Sequence, residues 1–250
     1  MKKSCVHQLT DRHKEVRVIN AKKLLRGPLT QKYLAFIVTL DETWINLSYA
    51  NRKSDICYVP NNENIPDNWT KTKTESFGAK KMVVGALSGR GPIPLFVVPG
   101  KVKINSDYYI NKVLKPISYN HLPKLYPGEL HRVFIHHDVA TSHTCAKTQN
   151  FIDQVSSELG VTFIRNDQIM IKSPDASPCD FFGFGYLKQQ LKFNKARTIE
   201  GVVLAAKKIW MEISSYFIPK VFNDWKFRCR IIAENHGNAI EPAKKYIRKN

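Results

Sequence analysis

No apolar run in this chain approaches the roughly 18 residues that a membrane-spanning helix needs. The opening residues, MKKSCVHQLTDRHKE, lack the apolar core of a signal peptide, so a soluble, intracellular protein is expected, with no membrane partner. Cysteine is scarce: Cys5, Cys57, Cys145, Cys179 and Cys229 are odd in number, widely spread and without a Cys-x-x-Cys pair. That excludes a disulfide framework and a zinc ribbon, and leaves free thiols in a reducing compartment as the expectation. Acidic residues are few as well. With 39 Lys and Arg against 21 Asp and Glu, the formal net charge is +18, which favours a polyanionic partner over a neutral metabolite. Nucleic acid is the first candidate and an anionic membrane surface the second. Internal repeats, low-complexity segments and a clear linker are also missing. What remains is a 250-residue chain, 43% hydrophobic and 24% charged, able to bury a large core as one extended domain or two small ones.

The order of elements follows from hydrophobic periodicity. A basic, helix-like start (LTDRHKEVRVINAKKLLRG) precedes YLAFIVTL, which reads as a buried strand stopping at Asp41, and WINLSYA alternates like a second strand. After the polar residues 51 to 80, KMVVGALS and PLFVV around GRGPI read as a hairpin, making four early strands. NSDYYINKVLKP has helical spacing, with Ser106 as its expected cap and Pro116 as its stop. RVFIHH is a strand, a helix from about Ser142 presents Phe151, Ile152, Val155 and Leu159, and VTFIR is a short strand. SPDASPCDFFGFGYLKQQLKF then opens a helix with Ser177 as cap, Pro178 at its first position and Asp180 in its first turn. Two more helices carry apolar faces Ile199, Val203, Ala206, Trp210, Ile213 and Phe222, Trp225, Cys229, Ile232. Such alternation predicts an α/β fold, a mixed sheet flanked by helices.

Three aspartates share one description. Asp41 and Asp138 each end an apolar strand, and Asp180 begins a helix after a proline-rich loop. Ends of neighbouring strands and a helix start converge readily on one spot. Carboxylates so gathered repel one another unless a cation sits between them, and oxygen-only surroundings suit Mg²⁺ or Mn²⁺. Two such ions about 3.5–4 Å apart activate an attacking oxygen and stabilise a leaving one in phosphodiester chemistry.

At this point TLDETWI, HHDVATSH and SPDASPCDFFGFGYLK resemble the three catalytic blocks of the mariner superfamily of transposases. The connector KKMVVGALSGRGPIPLFVVPGKVKINSDYYINKVLKP is similar to the family's segment between the first two blocks, and the likeness runs from about residue 9 to about residue 245. The resemblance implies a ribonuclease H-like DDD catalytic domain over residues 31–250, after a basic helical lead-in over 1–30 that is a linker remnant. It implies metal-dependent DNA strand cleavage and strand transfer at TA target sites, with Asp41, Asp138 and Asp180 as catalytic residues and ligands of two Mg²⁺ or Mn²⁺ ions. DNA, as transposon ends and TA sites, is the implied partner, a homodimer is left open, and the nucleus is the expected location. The interval between the second and third aspartates is longer than in mariner proper, with the extra length in SSELGVTFIRNDQIMIKSPD, so a divergent branch is indicated. Val139 stands where the family often has Asn, and the helix-turn-helix domains that precede the catalytic domain in the family are not in this sequence. Sequence-specific recognition of transposon ends is therefore not expected. A second reading stands beside the enzyme: a catalytically silent, transposase-derived DNA-binding module.

Other residues carry an ordinary reading beside the functional one. His143 either orients an aspartate or a phosphate, or is a side chain of a helix's first turn. His136 and His137 lack the helical His and Glu partners of a zinc hydrolase. Phe181, Phe182, Phe184 and Tyr186 either stack bases or pack a core. Lys80, Lys81, Lys188, Lys192, Lys195 and Arg197 are candidate phosphate contacts or solvated surface, and the terminal KKYIRK is a candidate nuclear-entry signal. Asp175, near Asp180, follows Pro174 in a turn-rich loop and reads as structural.

Overall fold

The structure, a computed structural model, describes residues 9–47, 78–100 and 102–240. Its centre is one long strand, β1 (Ile37–Asn46), followed by β2 (Lys80–Ser88), β3 (Gly91–Val97), β4 (Phe134–His136) and β5 (Thr162–Phe163). The sheet order is β3-β2-β1-β4-β5: β2 pairs antiparallel with β1 and β3, whereas β4 runs parallel to β1 and β5 to β4. This is the expected mixed sheet.

Alternation along β1 decides which side chain goes where. Val38 and Leu40 enter one core; Ile37 and Ile45 enter the other. Thr39, Asp41 and Thr43 share the second side by the same period, and Glu42 falls on the first.

The first side is covered by two helices. α2 occupies residues 106–125 and α3 is Ala146–Leu159, and they bury Tyr109, Val113, Leu114, Ile117, Ile152 and Val155. The second side is covered by α1 (Asp11–Arg26), α4 at residues 179–191, α5 (Ile199–Met211) and α6 (Ile218–Glu234). α1 lies along α6 and contributes Ala21 and Leu24 to that core. Among the described residues no helix is long and apolar enough to cross a membrane.

Several local expectations change. The two strands expected on either side of Asp41 are one, because β2 pairs with it without a break from Val38 to Asn46. Among the described residues three early strands form, not four, and residues 48–50 of WINLSYA lie outside the described set. Asn105, not Ser106, caps α2, its side chain accepting from the Tyr108 N–H. Pro116 does not stop that helix, because the wide π-type turns at Ile110–Leu114 and Pro116–His121 absorb its missing N–H. The helix expected from Ser142 is a short turn, Thr141–Thr144, then an extended Cys145, and α3 proper starts at Ala146. In α5 the buried face is Val202, Ala206 and Trp210, so Val203 is only flanking. The α6 face of Phe222, Trp225, Cys229 and Ile232 is buried as its spacing predicts. Cys5, Cys57 and KKYIRK lie outside the described residues, and Cys145, Cys179 and Cys229 are free thiols.

Candidate metal centre

The parallel pairing of β1 and β4 ends at Thr39 opposite His136. Two residues beyond that last pair stand Asp41 and Asp138. Because β4 stops while β1 continues against β2 alone, the strands part there and a cleft opens. Asp41 is therefore a mid-strand residue, and what ends near it is the neighbouring strand.

Asp180 is delivered to the same cleft from α4. Its neighbour Cys179 is wholly buried, with Sγ 3.7 Å from the Thr39 carbonyl and 3.8 Å from that of Gly85. Gly85 sits opposite Asp41 in the β1–β2 register, and a Cβ there would come within 2.8 Å of both Phe184 and Trp210. The missing side chain thus lets α4 lie flat on the sheet. The Ser177 hydroxyl, expected to cap the helix, reaches Asp41 Oδ2 instead, at 3.4 Å. The cleft, about 340 Å³, is lined by Asp41, Asp138 and Asp180 together with His136, Lys172 and Ser177. The three aspartates singled out in the sequence are thus neighbours in space.

Their charges are unevenly compensated. Burial, then the charges of Asp180 and Glu42, push the Asp41 carboxyl far above the usual carboxylate range. Asp180 is raised too, chiefly by burial, although hydrogen bonds from Asp41 and Ser177 and the charge of Lys188 oppose the rise. Within the pair the bond to Asp180 raises Asp41 while it lowers Asp180, so the proton is favoured on Asp41. Asp138 behaves oppositely. Burial raises it, but the hydrogen bond and charge of His143 and the Ala140 N–H outweigh burial and hold it below its ordinary value. His143, between two carboxylates, is raised to about 9: burial works against the charge, and Asp138 and Glu42 overcome it.

His136 and His137 beside the cleft are held toward the neutral form. Burial lowers His136 to about 4 and His137 to about 3. His136 bonds Thr39 Oγ1 through Nδ1 at 3.0 Å and meets the Trp225 ring edge-on, while Tyr109 Oη lies 2.8 Å from His137 Nδ1. Of the aromatic cluster, Phe184 stacks on Trp210 in the core, Phe182 on Tyr186, and Phe181 lies under the Arg228 guanidinium. Lys80 sits over the Trp44 ring and Lys188 donates to Thr43 Oγ1 at 2.8 Å.

Asp175 goes elsewhere. Its two oxygens take a forked pair of bonds from Arg17, at 3.0 and 2.6 Å, and Oδ2 also accepts the Ile240 N–H at 3.1 Å. Arg17 is fully buried and additionally bonds the Lys172 carbonyl and Ser173 Oγ. In the sequence Arg17 is one cation among many, and nothing in its spacing distinguishes it. Glu42 was not singled out in the sequence either, and its partner His143 is brought to it only by the fold.

Two donor sets suit a divalent cation. Asp41, Asp138 and Asp180 offer hard carboxylate oxygens, two of them raised chiefly by burial. Among the described residues it is Glu42, Asp138 and His143 that bring ligand atoms within 4.8 Å of one another, but there the raised imidazole of His143 already supplies positive charge. The first set is the better fit.

A mixed five-stranded sheet with helices on both faces and carboxylates where the central parallel strands part is the ribonuclease H-like fold. Among solved structures it is shared with the catalytic domain of the Mos1 mariner transposase: TM-score 0.69, 19% identity, 94% of this chain and 98% of that one. A Mos1 transposase paired-end complex with left transposon end matches with TM-score 0.80 and 21% identity over 96% of this chain and 67% of the other. The Mos1 mariner paired end complex with Mn gives 0.79 and 21% over 95% and 66%. The chain therefore spans about two thirds of the length of the larger transposase chains and nearly all of the isolated catalytic domain. No protein-family profile and no curated protein sequence matches it. The resemblance read from the three sequence blocks holds at the level of the fold.

Proposed function

We propose that the chain is a mariner-type transposase catalytic domain that cleaves and transfers DNA strands with divalent metal. The observation that carries this reading is the convergence of Asp41, Asp138 and Asp180 on one cleft at the position where the fold parts its central strands. Asp41, Asp138 and Asp180 would hold Mg²⁺ or Mn²⁺, two ions in this reading. When bound, the metal supplies a Lewis acid for the attacking and leaving oxygens of a phosphodiester. The chain's own groups do the rest. Ser177 steadies the Asp41 carboxyl, Lys188 sets its charge beside Asp180, and the basic excess of +18 draws the DNA backbone to the cleft. The Mos1 neighbours solved with a transposon end and with Mn support DNA and a divalent ion as ligands of the same fold. TA target sites, a homodimer and a nuclear location belong to this reading too.

Nicking of supercoiled plasmid by the purified chain tests it. Cleavage that requires Mg²⁺ or Mn²⁺ and disappears in Asp41→Ala and Asp138→Ala is expected. DNA binding without metal-dependent cleavage would leave the silent DNA-binding module instead.

A further inference from the structure

We infer that His143 is a positioning residue, an imidazole clamp that fixes the Asp138 carboxylate in one orientation toward the cleft, with Glu42 held on the ring's other side; this rests on the metal-site reading above. The ring is 2% exposed. Its Nδ1 lies 2.6 Å from Asp138 Oδ1 and 3.2 Å from the Asp138 carbonyl, so one nitrogen holds both the side chain and the backbone of that residue. The Ala140 N–H, 3.1 Å away, donates to the same Oδ1. Both side-chain bonds thus fall on one oxygen, and an ionised carboxylate with one oxygen pinned has its rotation fixed.

The other ring nitrogen, Nε2, is 3.3 Å from Glu42 Oε1 without the alignment of a hydrogen bond, which makes that contact ionic. The ring plane is fixed independently. Tyr109 stacks on His143 with centroids 3.8 Å apart at 27°, and His137 stacks at 5.1 Å and 5°. Tyr109 Oη also bonds His137 Nδ1, which ties the stack together on the α2 side of the sheet. His143's own backbone is held by its N–H to the Ala140 carbonyl, 2.9 Å, and by Gln149 Nε2 donating to its carbonyl, 2.8 Å. A buried aromatic stack built around an imidazole that touches a cleft carboxylate is support from behind the ligand, which sets how that ligand is aimed.

The geometry makes the two amide replacements unequal. An asparagine amide places its nitrogen near the position of Nδ1, the atom that bonds Asp138; a glutamine amide reaches that of Nε2. Mn²⁺ affinity, measured by calorimetry on wild type, His143→Ala, His143→Asn and His143→Gln, reads the difference, with melting curves in metal-free buffer identifying the folded chains. Loss of such a supporting contact typically weakens metal binding about 10–100-fold. His143→Ala and His143→Gln are expected to fall in that range, and His143→Asn to recover most of the affinity. A folded His143→Ala that binds Mn²⁺ as wild type does, or Asn and Gln variants that are equally weak, overturns the inference. Where His143→Ala does not fold, the Asn and Gln pair decides alone. A wild-type chain without Mn²⁺ affinity overturns the metal-site reading itself and the inference with it.

Discussion

Asp175 and Asp180 stand five positions apart in SPDASPCD and face opposite electrostatic fates. Asp175 is buried, yet every charge it brings is answered: a forked bond from a fully buried Arg17 and a backbone N–H from Ile240. Asp180 lies at the cleft against Asp41, and burial raises both carboxyls above the ordinary carboxylate range. The first aspartate is fully paired within the fold; the second keeps a raised carboxyl despite bonds from Asp41 and Ser177 and the charge of Lys188. The difference separates a carboxylate that builds structure from one that, in the proposed reading, is free to hold a cation, more sharply than sequence position does.

The strongest way to break the comparison is to remove each carboxylate in turn. Asp180→Ala is expected to reduce metal-dependent plasmid cleavage to background while DNA binding, measured by electrophoretic mobility shift, stays near wild type. If that variant still cuts and a folded Asp175→Asn does not, the roles are reversed. Next in size is Arg17→Met, which leaves the Asp175 charge buried without its partner. Such a change costs about 3–5 kcal/mol, read from the shift in the urea midpoint, whereas Asp180→Asn is expected to leave the metal-free midpoint unchanged or raised.

Gly85→Ala sharpens the comparison from the backbone side. Its methyl meets Phe184 and Trp210 within 2.8 Å, both rigid and deeply buried, so α4 must lift from the sheet and carry Asp180 with it. Overpacking of this kind costs about 1–3 kcal/mol; a midpoint equal to wild type would show that α4 is not held there. The smallest effect is in protons. The Asp41 carboxyl is raised in the folded chain, so the metal-free fold keeps a proton that the unfolded chain gives up above its ordinary value of 3.8. Stability from this pair is therefore full in acid and declines as the pH rises through the raised value. Near neutral pH, Mn²⁺ binding must release about one proton. Calorimetry in two buffers of different ionisation enthalpy counts it, and a count of zero contradicts the raised Asp41 carboxyl.

Much of this was legible before any coordinates. The mixed sheet, the hairpin of β2 and β3, the α6 face and the three aspartates follow from periodicity and from carboxylates placed beside apolar runs. What was hidden has physical causes. Asp41 looked like a strand end because a charged residue inside a strand is costly, and only the early stop of β4 at His136 opens water beside it. Pro116 looked like a terminator because ordinary helical turns cannot spare its N–H, while the wide turns of α2 can. Ser177 looked like a cap, but its hydroxyl serves Asp41. Arg17 could not be singled out at all, since its partner Asp175 is brought to it by tertiary packing; His143 was a candidate for orienting an aspartate or a phosphate, and the fold gives it Asp138 and adds Glu42, which the sequence did not indicate.

The central claim, that Asp41, Asp138 and Asp180 form one site for a divalent cation, is met most directly by titrating Mn²⁺ into the wild-type chain and into Asp180→Asn while following heat and melting temperature. Saturable binding is predicted for the wild type, with a stabilisation of about 2.7 kcal/mol when free Mn²⁺ is 100 times the dissociation constant, and its loss is predicted in an Asp180→Asn chain that still folds. No binding at millimolar Mn²⁺, or binding by Asp180→Asn equal to wild type, would contradict it.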